Sequence, residues 1–172
     1  MAMRRHRVET ELNADAALVA AAELLAQRGK KFTAIRRSVL KLLCREPKAV
    51  SAYTLVLAFE NESGRRIAPN TVYRALDFLQ EQGLVAHLLN TRTYVARLPY
   101  HDEETFLFFV CSRCGITAEC RDPHVERAVR LSASTIGFVA HARGIDLAGI
   151  CKQCSLVVKV GQKSRRAAAS IA

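Results

Sequence analysis

Apolar positions recur with a helical period through the first half of the chain, and each run is bounded by start and stop residues. Leu18, Ala21, Ala22 and Leu25 share one face of a first predicted helix, which stops near Gly29. Thr33 is placed to cap a second, with Ile35, Val39, Leu42 and Leu43 inward and Pro47 closing it. Ser51 caps a third, which carries Ala52, Leu55, Val56 and Phe59 in register and ends at Gly64. Pro69 precedes a fourth, running from Asn70 to Gly83 with Val72, Ala75, Leu76 and Leu79 as its buried stripe. The pattern then shortens. Residues 84–89 and 92–97 read as two short strands around Asn90 and Thr91. Residues 106–111 read as a strand with residues 116–120 as its partner. Asp122 and Pro123 open a helix with Val125, Ala128, Val129 and Ile136 inward and Gly137 at its end. Residues 138–142 and 144–151 return as two more strands.

Helices followed at once by a hairpin make a winged-helix arrangement. The expected fold is therefore α+β: a winged-helix unit over residues 1–98, then a small α/β unit over residues 99–158. Residues 159–172 form a basic tail, expected to be disordered. A chain of 172 residues suits one or two small domains. No run is long and apolar enough to span a membrane. The N-terminal residues carry the charges of a signal peptide without its apolar stretch, so a cytoplasmic location is expected. The formal charge of +10 favours a polyanionic partner, most simply nucleic acid, with plain solubility as the alternative.

Four of the six cysteines fall in two C-x-x-C pairs, Cys111 with Cys114 and Cys151 with Cys154. Each pair can place two thiolates on one metal from a tight turn. Together they supply the all-sulfur tetrahedral shell of a closed structural zinc site. The 36 residues between the pairs exceed a simple zinc-ribbon gap and must hold structure of their own. A disulfide or a redox C-x-x-C competes with this reading. In a reducing compartment, paired thiols are more often metal ligands.

The fourth helix has the layout of a major-groove reader. Its apolar stripe anchors it, and Asn70, Thr71, Arg74 and Asp77 lie on or near the other side, with Tyr73 flanking the stripe. Arg74 suits a bidentate contact to guanine or a phosphate pair. The alternative is an ordinary amphipathic helix with a solvated arginine. Arg92, near the hairpin tip, is placed to touch the phosphate backbone.

The segments FTAIRRSVL, SAYTLVLAF, TVYRALDFLQEQGLV, FFVCSRCGITAEC and GICKQC, in that order, resemble the ferric uptake regulator family over roughly residues 18 to 156. The SAY and TVYRALDFL wording looks most like its zinc uptake regulator branch. The resemblance implies a homodimeric, metal-dependent repressor of zinc homeostasis genes that binds double-stranded operator DNA and is not an enzyme. It implies that the two C-x-x-C pairs hold one structural zinc per chain and that Tyr53, Tyr73 and Arg74 face DNA. It also implies a second, regulatory zinc linking the domains, and here the chain departs from the pattern. The first ligand position falls on Ala86, with His87 one residue off. The cysteine position holds Arg97, which cannot ligate zinc at neutral pH. The second histidine position falls near Glu104, with His101 upstream, and only Glu119 matches directly. Either the site is rebuilt from Glu119, His87 and His101, with Glu103, Glu104 or Cys120 as further candidates, or it is lost.

Among the other candidates, His6 and His124 read as solvated residues, and His141 as core or ligand. Cys44 reads as a core thiol. Cys120 follows Glu119, but strand alternation points it to the opposite face. Three further readings stay open: a repressor of the same family sensing another signal, a thiol-disulfide redox protein using Cys111 and Cys114, and a zinc-stapled adaptor for a protein partner.

Overall fold

The computed structural model describes residues 10–97, 106–120, 122–139 and 144–157. Ten elements follow in order: α1 (Thr10–Gln27), α2 (Ala34–Arg45), α3 (Ala52–Ser63), α4 (Pro69–Glu81), β1 (Val85–Leu88), β2 (Thr93–Ala96), β3 (Phe106–Cys111), β4 (Thr117–Cys120), α5 (Pro123–Thr135) and β5 (Gly144–Gly149). The mixed helix and sheet class matches the α+β expectation.

The caps act where the sequence places them. The Thr33 side chain accepts from the Arg36 N–H, and Ser51 accepts from the Thr54 N–H, each satisfying a first-turn donor that the helix itself leaves open. Gly64 ends α3 at φ 64°, in the left-handed region that a side chain would disfavour. Pro69 is the first residue of α4 rather than its predecessor, where its missing N–H costs nothing. Leu18, Ala21, Leu25, Val39, Leu40, Leu43, Leu55, Val72, Leu76 and Leu79 close into one core under α1 to α4. Arg28 fixes the far end of α4, donating from Nη1 to the Gln82 carbonyl at 3.0 Å.

β1 and β2 form an antiparallel hairpin, with Val85 opposite Ala96 and Leu88 opposite Thr93. Val50 adds a further rung, exchanging backbone bonds of 2.8 and 2.7 Å with Tyr94. The second sheet has the order β4-β3-β5. β3 runs antiparallel to β4 and parallel to β5, so the chain must cross over between the parallel strands, and α5 lies in that connection.

Two expectations are corrected. Residues 138–139, expected to begin a strand, form none, and residues 140–142 lie outside the described residues. No residue of α5 is buried, and Ile136, just past its end, is 72% exposed. The amphipathic period of α5 is real, but among the described residues nothing seals that face.

A second, smaller core joins the two halves. Leu88 and Val95 of the hairpin pack with Phe108 and Val110 of β3, and Ala49 and Ala86 border them. A bridge between Lys48 and Ile116 adds a backbone contact across the same junction.

Candidate metal centre and nucleic-acid interface

The four cysteine sulfurs converge. The Sγ atoms of Cys111, Cys114, Cys151 and Cys154 all lie within 4.8 Å of one another. Cys114 and Cys151 are 3.7 Å apart, too far for a disulfide, and all four thiols are free. Tetrahedral zinc with bonds of about 2.3 Å needs sulfur–sulfur edges of about 3.8 Å, so the cluster has the right size for the ion. Local backbone structure builds this geometry. β3 delivers Cys111, and a tight turn with Gly115 at φ 73° brings Cys114 back beside it. β5 runs parallel to β3 and ends opposite Cys111, with Gly149 as its register partner. Cys151 follows immediately, and Cys154 lies in a last helical stretch, residues 152–157.

The thiols share charge unequally. The Cys111 thiol is lowered to about 6, chiefly by the Cys151 N–H, whose nitrogen lies 3.4 Å from the sulfur, and then by the Cys114 N–H. Burial pushes the Cys154 thiol up to about 12, helped by hydrogen bonding to the neighbouring thiols. Four thiolates this close need a cation between them. Zinc would neutralise that repulsion and displace the remaining thiol protons. The donor set fits zinc, and all four ligands would come from this chain.

A junction site does not assemble in the same way. Among the described residues, the four cysteines are the one group of three or more His, Cys, Asp or Glu side chains close enough to share an ion. His87 does not stand in for Ala86. Ala86 borders the junction core, whereas the His87 ring stacks on Tyr94 at 4.5 Å, and Tyr94 belongs to the helical core. A one-residue offset in a strand turns the side chain to the opposite face. Glu119 pairs with Phe108 across β3–β4 and so shares the junction face of that sheet. Arg97 is buried, and its N–H extends the hairpin ladder to the Leu84 carbonyl. Counting from Val95, it too lies on the junction side. His101, Glu103 and Glu104 lie outside the described residues, as do His6, His141 and the tail.

The remaining cysteines behave as expected for packing residues. Burial pushes the Cys44 thiol up to about 12, which makes it a poor nucleophile. Cys120 is buried opposite Leu107, on the face away from Glu119.

On α4, Val72, Ala75, Leu76 and Leu79 are buried. Asn70, Tyr73 and Arg74 are exposed and Thr71 is half-buried, so all four sit at the open N-terminal end of the helix. Tyr53, on α3, is 70% exposed. The link between α3 and α4 adds Arg65 and Arg66, both exposed. Sequence reasoning passed over these two, although adjacent arginines before a reading helix are a signal for phosphate contact. Arg92 is exposed at the hairpin tip, with φ 52°. The tip is not a free wing, because Asn90 is bonded to Asp146 in the second sheet.

Comparison with known proteins points the same way. The zinc uptake regulation protein of Escherichia coli (strain K12) is 37% identical over 138 residues, covering 80% of each chain. The ferric uptake regulation protein of Campylobacter jejuni is 28% identical, covering 77% of this chain and 85% of that one. Among solved structures, a zinc uptake regulator complexed with zinc and DNA matches with a TM-score of 0.79 at 33% identity, covering 85% of this chain and 97% of the other. The holo structure of XcZur matches with a TM-score of 0.73 at 33% identity, covering 83% and 99%. With the ferric uptake regulator family matched over residues 27–147, the chain belongs to that family.

Proposed function

We propose that this chain is a metal-dependent DNA-binding repressor that controls zinc uptake. The observation that carries this is the likeness, at a TM-score of 0.79 across 85% of the chain, to a zinc uptake regulator complexed with zinc and DNA. The four-cysteine cluster supports the zinc requirement. Its role here is structural: Cys111, Cys114, Cys151 and Cys154 hold the zinc that closes the second sheet. Tyr53, Asn70, Thr71, Tyr73 and Arg74 form the DNA-reading surface, with Arg65 and Arg66 beside them. Arg92 contributes less, because its hairpin tip leans on the second sheet. A regulatory zinc at the junction would draw on Glu119.

The working unit is a homodimer. Leu131, Ile136, Leu147, Ile150 and Leu156 are all exposed on the second half of the chain, and a second copy covers this apolar surface. No helix among the described residues is long and apolar enough to cross a membrane. The family consists of transcription regulators, and the chain acts by binding rather than by catalysis.

The test is genetic. Deleting the gene should raise transcription of zinc-uptake genes in zinc-replete cells. The wild-type chain should restore repression, and Cys151→Ser should not. Unchanged transcription in the deletion strain would remove the zinc-uptake assignment.

A further inference from the structure

The hairpin tip is tied to the second sheet by two residues that lie 56 positions apart. The Asn90 backbone N–H donates to Asp146 Oδ2 at 2.9 Å, and Asn90 Nδ2 donates to the Asp146 backbone carbonyl at 2.8 Å. Both bonds converge on one residue, and the first has an ionised acceptor, which strengthens it. Asp146 is the register partner of Phe108, the largest buried side chain of the junction core. The polar clamp therefore sits beside the apolar contact. Apolar packing alone is non-directional and tolerates sliding. Two directed bonds at its edge fix the angle.

The hairpin does not move independently of the reading helix. Leu84 N–H donates to the Leu79 carbonyl at the end of α4, and Arg97 N–H closes on Leu84. Val85 packs in the same core as Leu76 and Leu79. Whatever holds the hairpin also holds α4. The turn that presents Asn90 is itself specified, since Arg92 sits at φ 52°, a conformation that surrounding structure must enforce in a residue with a side chain.

We propose that Asn90 and Asp146 are positioning residues for operator recognition. They set the angle of α4 to the zinc-stapled sheet, and hence the distance between the two reading helices of a dimer. This rests on the repressor reading, in which half-site spacing mirrors protein geometry. The clamp makes this link with protein groups alone, and the role assigned to both residues runs through that link rather than through contact with DNA or metal.

The experiment measures binding of two duplexes to zinc-loaded protein: a two-half-site operator selected from a random pool by the wild-type chain, and the same duplex with one half-site scrambled. Asp146→Ala removes the bond to the carboxylate and leaves the one from the Asn90 side chain to the backbone carbonyl; it should lose roughly tenfold on the full operator, the order expected when one hydrogen bond to a charged group is removed, and little on the single half-site. Asp146→Asn retains an acceptor oxygen and should stay close to wild type. Asn90→Ala, at an exposed turn, keeps its backbone donor and should fall between them. Zinc content should be unchanged in all three, and the melting temperature should fall by no more than a few degrees. Equal losses on both duplexes, or an Asp146→Ala protein that binds the full operator like wild type, would overturn the proposal. A wild-type protein that selects no duplex at all would instead remove the repressor reading beneath it.

Discussion

Phe108→Ala tests whether the junction core couples the two halves of the chain. Phe108 is 1% exposed and is the one aromatic side chain in a cluster otherwise built from Leu88, Val95 and Val110. Its ring also lies over the β5 backbone, where a Cβ built on Gly144 would meet it at 3.7 Å. Ala49 and Ala86, at the rim, are too small to fill the gap its removal leaves. Large-to-small changes of this kind cost about 3–5 kcal/mol, because the lost transfer energy and the residual cavity add. The cluster draws two residues from each half, so the loss should appear as weakened coupling. Guanidinium unfolding of zinc-loaded protein, followed by far-ultraviolet circular dichroism, is the assay. The variant should show a lower midpoint for the second half and a broadened or split transition. Leu40→Ala, which opens the helical core instead, should lower the stability of the first half. A Phe108→Ala protein within about 1 kcal/mol of wild type, with one unsplit transition, would show that the junction cluster does not couple the halves, since such a loss is far below the cavity range.

Three further substitutions separate the metal site from the DNA surface. Cys151→Ser should lose the tightly held zinc and unfold the second half while the helical core persists, because metal binding energy is folding energy in such a small unit; metal analysis with circular dichroism would show it, and a fully zinc-loaded serine variant would refute it. Arg74→Ala and Tyr73→Ala should each weaken specific duplex binding by roughly 1–3 kcal/mol with an unchanged melting temperature, and wild-type affinity in both would move the reading surface elsewhere.

Much of the fold was legible because local chemistry marked it. Thr33 and Ser51 cap the helices they were read to cap, Asp122 caps the helix it was read to open, and Gly64 ends its helix as read. The zinc centre was legible because the spacing of paired cysteines restricts what they can do. Other features depend on contacts that local sequence does not encode. The period of α5 identifies an apolar face but not its partner, and among the described residues that face stays open. His87 sits one residue from Ala86, which looks like near-equivalence in sequence and is a reversal of direction in a strand. The Asn90–Asp146 clamp joins a turn to a strand through pairing that no short-range pattern encodes. Arg97 was legible as a departure from the family ligand pattern. Its burial on the junction side comes from the hairpin ladder.

The most direct measurement is fluorescence anisotropy of a selected duplex titrated with this protein in three states: zinc-loaded, stripped of all metal, and reloaded. Zinc-loaded and reloaded protein should bind the selected duplex far more tightly than a scrambled one, with affinity falling steeply as salt rises because phosphate contacts release counterions. Metal-free protein should lose that discrimination. Tight, sequence-specific binding by metal-free protein, or no specific binding by zinc-loaded protein at low salt, would contradict a zinc-dependent repressor.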